Sequence, residues 1–132
     1  MTREDIRRIP ELNNRILRDE AHLRYLKEKA TAIPEMPYDR EKVKTNKKMD
    51  RMRYADEAVD LEIEIEYRRE ALKEMQKDAT LWIDTLDSYF DKRIFRLRLI
   101  KCLTWEEIAD LIGYTSRRVY QIAERVINDK ID

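Results

Sequence analysis

Apolar residues recur along the first part of the chain at Leu12, Ile16, Leu23, Leu26, Ala30 and Ile33, with Asp19 in the one skipped place. Counted with Asp19, the steps alternate between four and three, which lines one side of an α-helix as a heptad seam. Ile9 continues the pattern, but Pro10 disfavours helical geometry at the residue before it. The pattern therefore predicts a main helix from about Pro10, with residues 3–9 as a short lead-in turn. Ile33-Pro34, reinforced by Pro37, ends it.

A second seam reads Tyr54, Ala58, Leu61, Ile65, Arg68, Leu72, Met75, Ala79 and Trp82, again in steps of four and three. Residues 34–48 between the seams read as a connector. Its distal half is basic, with Arg40, Lys42, Lys44, Lys47 and Lys48 against Asp39 and Glu41, and solvent is the default place for that charge. The fold predicted for residues 1–86 is a long antiparallel helical hairpin, coiled-coil-like, with rods of about 40 Å. Each seam has one polar interruption. Matching an a position to a d position across the hairpin gives facing residue numbers that sum to 84 or 91, and either register sets Asp19 and Arg68 one layer apart, so they are expected to pair and help fix the register; the plain alternative is two unrelated charges tilted into solvent.

The second helix has a further apolar stripe: Met52, Ala55, Val59, Ile63 and Tyr67. A helix apolar on two faces needs a second neighbour. The stripe predicts cover by the tail of the chain or, in preference, a homodimer.

From Asp87 the pattern shortens into three helices with clear punctuation. Asp87 or Ser88 caps the first, which carries Phe90, Ile94, Phe95, Leu97, Leu99 and Ile100. Thr104 and Glu107 have capping-box spacing at the start of the second. Trp105, Ile108, Ala109 and Ile112 form its buried face, and Gly113, the one glycine of the chain, sits where a left-handed C-cap is needed. Thr115 is the expected N-cap of the third, with Val119, Ile122, Ala123 and Val126 inward. Ser116, Arg117, Tyr120, Gln121 and Glu124 point outward. Two capped helices across a short glycine turn predict a helix-turn-helix over residues 87–132.

Such a motif lays the first turns of its second helix, here about residues 116–127, in the major groove of double-stranded DNA. Arginine can bond guanine O6 and N7, and glutamine adenine N6 and N7. Thr115, Ser116 and the free amides of the helix start suit a phosphate. Arg93, Arg96, Arg98 and Lys101 are candidate backbone contacts. For any one of these arginines alone, a solvated helix face is the plain alternative.

The stretch Leu97-Arg98-Leu99-Ile100-Lys101-Cys102-Leu103-Thr104-Trp105-Glu106-Glu107-Ile108-Ala109, with Gly113-Tyr114-Thr115 and Arg118-Val119-Tyr120, resembles region 4 of sigma-70-type factors. It is closer to phage regulators with a sigma region-4-like C-terminus, the ArpU/RinA-type late-transcription regulators and their relatives. That resemblance implies sequence-specific DNA binding, control of phage or mobile-element genes, and contact with RNA polymerase. It assigns DNA contact to Thr115, Ser116, Arg117, Arg118, Tyr120 and Gln121. A full sigma factor also melts promoter DNA with a second domain rich in exposed aromatic and basic residues. Residues 1–86 carry charged heptads instead, so an activator or accessory regulator is expected.

Composition narrows the alternatives. Of 132 residues, 28 are Lys or Arg and 28 Asp or Glu, so an anionic partner must meet a local patch rather than bulk charge. One glycine and three prolines disfavour a many-stranded β protein. No apolar run approaches a membrane span, and Met-Thr-Arg-Glu-Asp does not open like a signal peptide, so a cytoplasmic location is expected. Enzyme chemistry, cofactor and metal are not expected. His22 has no ligand partner three or four residues further on, Cys102 sits among apolar neighbours, and no phosphate-binding glycine loop exists. Two competing readings remain: a phage packaging or assembly protein like a small terminase subunit, and a coiled-coil interaction adaptor.

Overall fold

The computed structural model describes residues 1–32 and 41–131, the stretch 41–47 by its backbone alone. Its elements are five α-helices: α1 (Arg3–Thr31), α2 (Glu41–Asp84), α3 (Tyr89–Phe95), α4 (Trp105–Ile112) and α5 (Ser116–Lys130). Among the described residues there is no strand, and no helix is long and apolar enough to cross a membrane.

Helix α1 starts at Arg3 rather than near Pro10. The Thr2 hydroxyl accepts from the Asp5 amide at 3.1 Å, and the Asp5 carboxylate accepts from the Thr2 amide at 2.9 Å. This reciprocal cap satisfies two donors that a helix start otherwise leaves free. The same contacts, the backbone amide first, hold the Asp5 carboxyl below its ordinary range. Pro10 lies inside the helix, where its missing N–H and its ring cost about 3 kcal/mol. Ile6 and Ile9 are 5% and 0% exposed, and burying a side chain of that size contributes about 1.5–3 kcal/mol. Tertiary burial therefore offsets the local penalty that the residues around Pro10 advertise.

Helix α2 begins at Glu41, so the expected connector 34–48 is helical from there on. Between Pro37 and the end of α2 at Asp84 there is no glycine or proline, and Glu and Lys are good helix formers, so nothing local stops propagation. Ile33, residues 34–40 and the side chains of Lys42, Lys44 and Lys47 lie outside the described residues.

The chain forms two compact units, Met1–Asn14 with Glu70–Asp132, and Arg15–Arg69. The sequence pattern places its boundary at 86/87; the packing differs because the start of α1 and the end of α2 share a core with the tail. Ile6, Ile9, Ala79, Ile83 and Leu86 are buried together with Phe95, Leu99, Ala123, Val126 and Ile127. Trp82 meets Phe95 edge-on at 5.0 Å between ring centres, a favourable arrangement of ring quadrupoles.

After α3 the backbone widens into a π-helical stretch, Arg96–Ile100. The Gln76 side-chain amide donates to the Leu99 carbonyl at 3.1 Å and the Ile100 carbonyl at 3.3 Å, supplying partners at the end of that stretch. Cys102 follows in the left-handed region, φ +57°, the one non-glycine residue with positive φ among those described. Burial pushes its thiol pKa up.

In the Arg15–Arg69 unit, Ile16, Leu26, Ala58 and Ile65 are buried, as the two seams require, and Asp19 is buried among them at 9% exposure. Arg68 Nη1 donates to Asp19 Oδ2 at 2.6 Å, and Arg15 Nε reaches Asp19 Oδ1 at 3.2 Å. The expected pair is present and carries a second arginine. Further bridges join Glu20 with Arg69 at 2.5 Å and Lys27 with Glu62 at 2.6 Å.

Removing one charge leaves the other poorly solvated, so Arg68→Leu lowers stability by about 2 kcal/mol in urea unfolding, whereas Asp19→Leu with Arg68→Leu recovers most or all of it. At the left-handed position, Cys102→Val costs about 1–2 kcal/mol through backbone strain, and Cys102→Gly costs less than Cys102→Val in the same assay.

Candidate nucleic-acid interface

Thr104, α4, Gly113 and α5 form one continuous device whose ends are fixed locally. The Thr104 hydroxyl accepts from the Glu107 amide at 3.1 Å, and Glu107 Oε1 accepts from the Thr104 amide at 3.2 Å, completing the expected capping box. Gly113 stops α4 at φ +77°. A Cβ there meets nothing within 4 Å, so the demand for glycine is one of backbone conformation and not of space. The Tyr114 amide closes back onto the Ala109 carbonyl at 2.9 Å. Thr115 then caps α5, its hydroxyl accepting from the Arg118 amide at 3.2 Å.

The inner face of α5 divides between two cores. Val119 and Ile122 pack with Ile94, Ile108 and Ala109, while Ala123, Val126 and Ile127 join Ile6, Ile9 and Ile83. Trp105, half-buried, packs on both clusters, and its ring meets Tyr120 edge-on at 6.2 Å. The helix is thereby held along its length, and its opposite side faces water.

Of the residues expected to touch DNA, Thr115, Arg117, Arg118, Tyr120 and Gln121 are exposed, Tyr120 at 52%, and Ser116 is half-buried. Arg117 and Arg118 make no ion pair among the described residues. Three later charges of α5 are paired: Glu124 with Arg3 at 3.2 Å, Arg125 with Asp91 at 3.5 Å and Lys130 with Asp87 at 2.9 Å. Two unpaired guanidinium groups thus stand at the positive end of the helix dipole, beside a phenol and a carboxamide. Glu124, expected on the open face, is engaged by the start of α1 through Arg3. Arg3 also bonds the Asn128 side chain.

The basic residues before α4 fall into two groups. Arg98 is turned inward: its Nη1 donates to the Leu103 carbonyl at 2.8 Å, and its guanidinium lies 4.7 Å from the centre of the Trp105 ring. Burial lowers its pKa, and its Nε has no partner among the described residues. A guanidinium committed to a carbonyl and an aromatic face is a brace for the turn, not a free phosphate contact. Arg93, Arg96 and Lys101 remain exposed. With Thr80, Ile83, Tyr89, Leu97 and Ile100 they line a groove of about 410 Å³, and no residue of Thr115–Gln121 belongs to it.

Sequence reasoning missed Gln76 and the inward role of Arg98. Gln76 acts on carbonyls that the chain supplies 23 and 24 residues later, so no periodicity marks it. Arg98 did have a signal: the aromatic Trp105 one short turn further on, next to carbonyls released where a helix ends. The cap supplies a local test. Thr115→Ala lowers stability by about 1 kcal/mol in thermal or urea unfolding, and Thr115→Ser restores most of it.

Comparison with protein-family models, with curated proteins and with solved structures finds no match for this chain.

Proposed function

We propose that the protein is a sequence-specific DNA-binding regulator of transcription. In this reading α4 and α5 are a helix-turn-helix, and the first turns of α5 enter the major groove. The observation that carries it is the exposed, unpaired set Arg117, Arg118, Tyr120 and Gln121 on the outer side of a helix whose inner side is fully buried. Positive charge at a helix start holds the phosphodiester backbone, and arginine and glutamine have donor patterns that match guanine and adenine edges. Thr115 and Ser116 stand where a phosphate would meet the first free amides of α5. The neutral total charge fits the same reading, because affinity then rests on this patch and not on coating the duplex.

The likeness of residues 97–120 to sigma region 4 and to ArpU/RinA-type phage regulators supports a role at phage or mobile-element genes, with RNA polymerase as a further partner. The remainder of the fold reads as an antiparallel helical hairpin. Its support is the order of the ion pairs, Asp19 with Arg68 and then Lys27 with Glu62, rising along α1 as they fall along α2.

The test is selection of bound fragments from random duplex DNA, followed by affinity measurements on the enriched site. A discrete site is expected. Arg117→Ala then costs about 1–3 kcal/mol on that site and little on unrelated DNA if the arginine reads a base. Arg118→Ala weakens binding to all sequences and flattens the salt dependence by about one unit if it holds a phosphate. Failure to enrich any sequence, with affinity unmoved by either substitution, contradicts the proposal.

A further inference from the structure

The side of α2 turned away from its seam carries Met49, Met52, Val59, Ile63 and Tyr67, exposed at 63, 59, 56, 66 and 79%. No described part of this chain covers them. Their exposed side chains amount to roughly 600 Å² per copy, so joining two such faces removes at most about 1,200 Å², the lower edge of the range of specific interfaces.

Charge along the same stretch is strongly polarised. From Lys48 to Arg53 there are three cations, Lys48, Arg51 and Arg53, against Asp50. From Asp56 to Glu66 every charged residue is acidic: Asp56, Glu57, Asp60, Glu62, Glu64 and Glu66. Two copies laid parallel would set like charge on like. Laid antiparallel, with a two-fold axis near Glu57, they set the basic half of each on the acidic half of the other.

The helical repeat makes this specific. Lys48 and Glu66 are about five full turns apart, so both flank the apolar stripe on the same side, and Arg53 and Asp60, about two turns apart, both flank it on the other. In one and the same antiparallel register Lys48 of one copy meets Glu66 of the second, Arg53 meets Asp60, and Met52 meets Ile63. Lys48 and Asp60 make no ion pair among the described residues, and Glu66 and Arg53 have only loose partners within α2, at 3.6 and 3.8 Å. A two-fold contact of this kind is self-complementary and closes at two copies.

We propose that this face of α2 is the interface of a homodimer, formed by antiparallel pairing of α2 with α2 of a second copy. The interface lies wholly within Arg15–Arg69 and shares no residue with the α5 surface.

The experiment is light scattering and sedimentation on the full chain at about 50 μM. The expected mass is twice 16.1 kDa. Ile63→Lys puts a new cation opposite the basic half of the other copy and weakens the dimer about tenfold or more, with helicity by circular dichroism unchanged. Lys48→Glu, a change at a position exposed in the single chain, also weakens it, most at low salt, and Lys48→Glu combined with Glu66→Lys restores it. A monomeric wild-type chain, an assembly larger than two, or a dimer indifferent to both Ile63→Lys and Lys48→Glu overturns the proposal. The two proposals fail separately: Arg117→Ala leaves the mass of the dimer unchanged, and monomeric Ile63→Lys retains whatever DNA contact depends on Arg117.

Discussion

Ile94, Ile108 and Val119 are wholly removed from water, and with Ala109 and Ile122 they make the contact on which the tail of this protein depends. Helices α3 and α4 span seven and eight residues, well under the roughly 12–15 at which an isolated helix becomes even marginally stable in water. They persist because each buries one apolar face against α5, and their caps fix where they begin and end. The first turns of α5 are presented outward for the same reason. Once Val119 and Ile122 are committed inward, the helical repeat leaves Arg117, Tyr120 and Gln121 nowhere to go but solvent.

The tail does not stand on its own core. Ile6 and Ile9 from the start of α1, and Ala79 and Ile83 from the end of α2, pack with Phe95, Leu99, Ala123 and Val126. Continuity of burial from the chain's beginning to its last helix explains two local oddities. A proline is retained within α1, and Arg3 is drawn to Glu124 and Asn128 across 121 and 125 residues of sequence. The many surface ion pairs contribute little by comparison, each being worth at most about 1 kcal/mol in water. The exception is the bridge from Arg68 to Asp19, where partial burial makes the loss of either partner costly.

Much of this was legible in the sequence where the governing rule is periodic or local. Of the two seams, Ile16, Leu26, Ala58, Ile65 and Ala79 are buried and the other described apolar members half-buried, Thr104, Gly113 and Thr115 fix the helix ends as their chemistry requires, and the lone polar residue of each seam found the other. What was not legible had a tertiary cause. Pro10 reads as a helix start until the burial of Ile6 and Ile9 is known; Thr2 and Asp5, three residues apart, were the local hint. The stretch up to residue 48 reads as a connector because Pro34 and Pro37 break the first seam and the second starts only at Tyr54, yet nothing in it stops a helix from Glu41 on. Arg98 reads as a surface cation until Trp105 and the Leu103 carbonyl turn it inward. At the candidate interface, residue types were legible in the sequence, whereas the neutralisation of Glu124 and Arg125 by Arg3 and Asp91 depends on packing.

The proposed recognition surface is short, Thr115–Gln121, and shares no residue with the groove lined by Arg93, Arg96 and Lys101 or with the apolar face of α2. The most direct test is to titrate the isotopically labelled protein with duplex DNA and follow its backbone amides by nuclear magnetic resonance. Recognition through the start of α5 places the largest shifts on Thr115–Gln121 and their immediate turn, with α2 between Met49 and Tyr67 unaffected. Shifts confined to the Arg93–Lys101 groove or to α2, with the start of α5 silent, would contradict it.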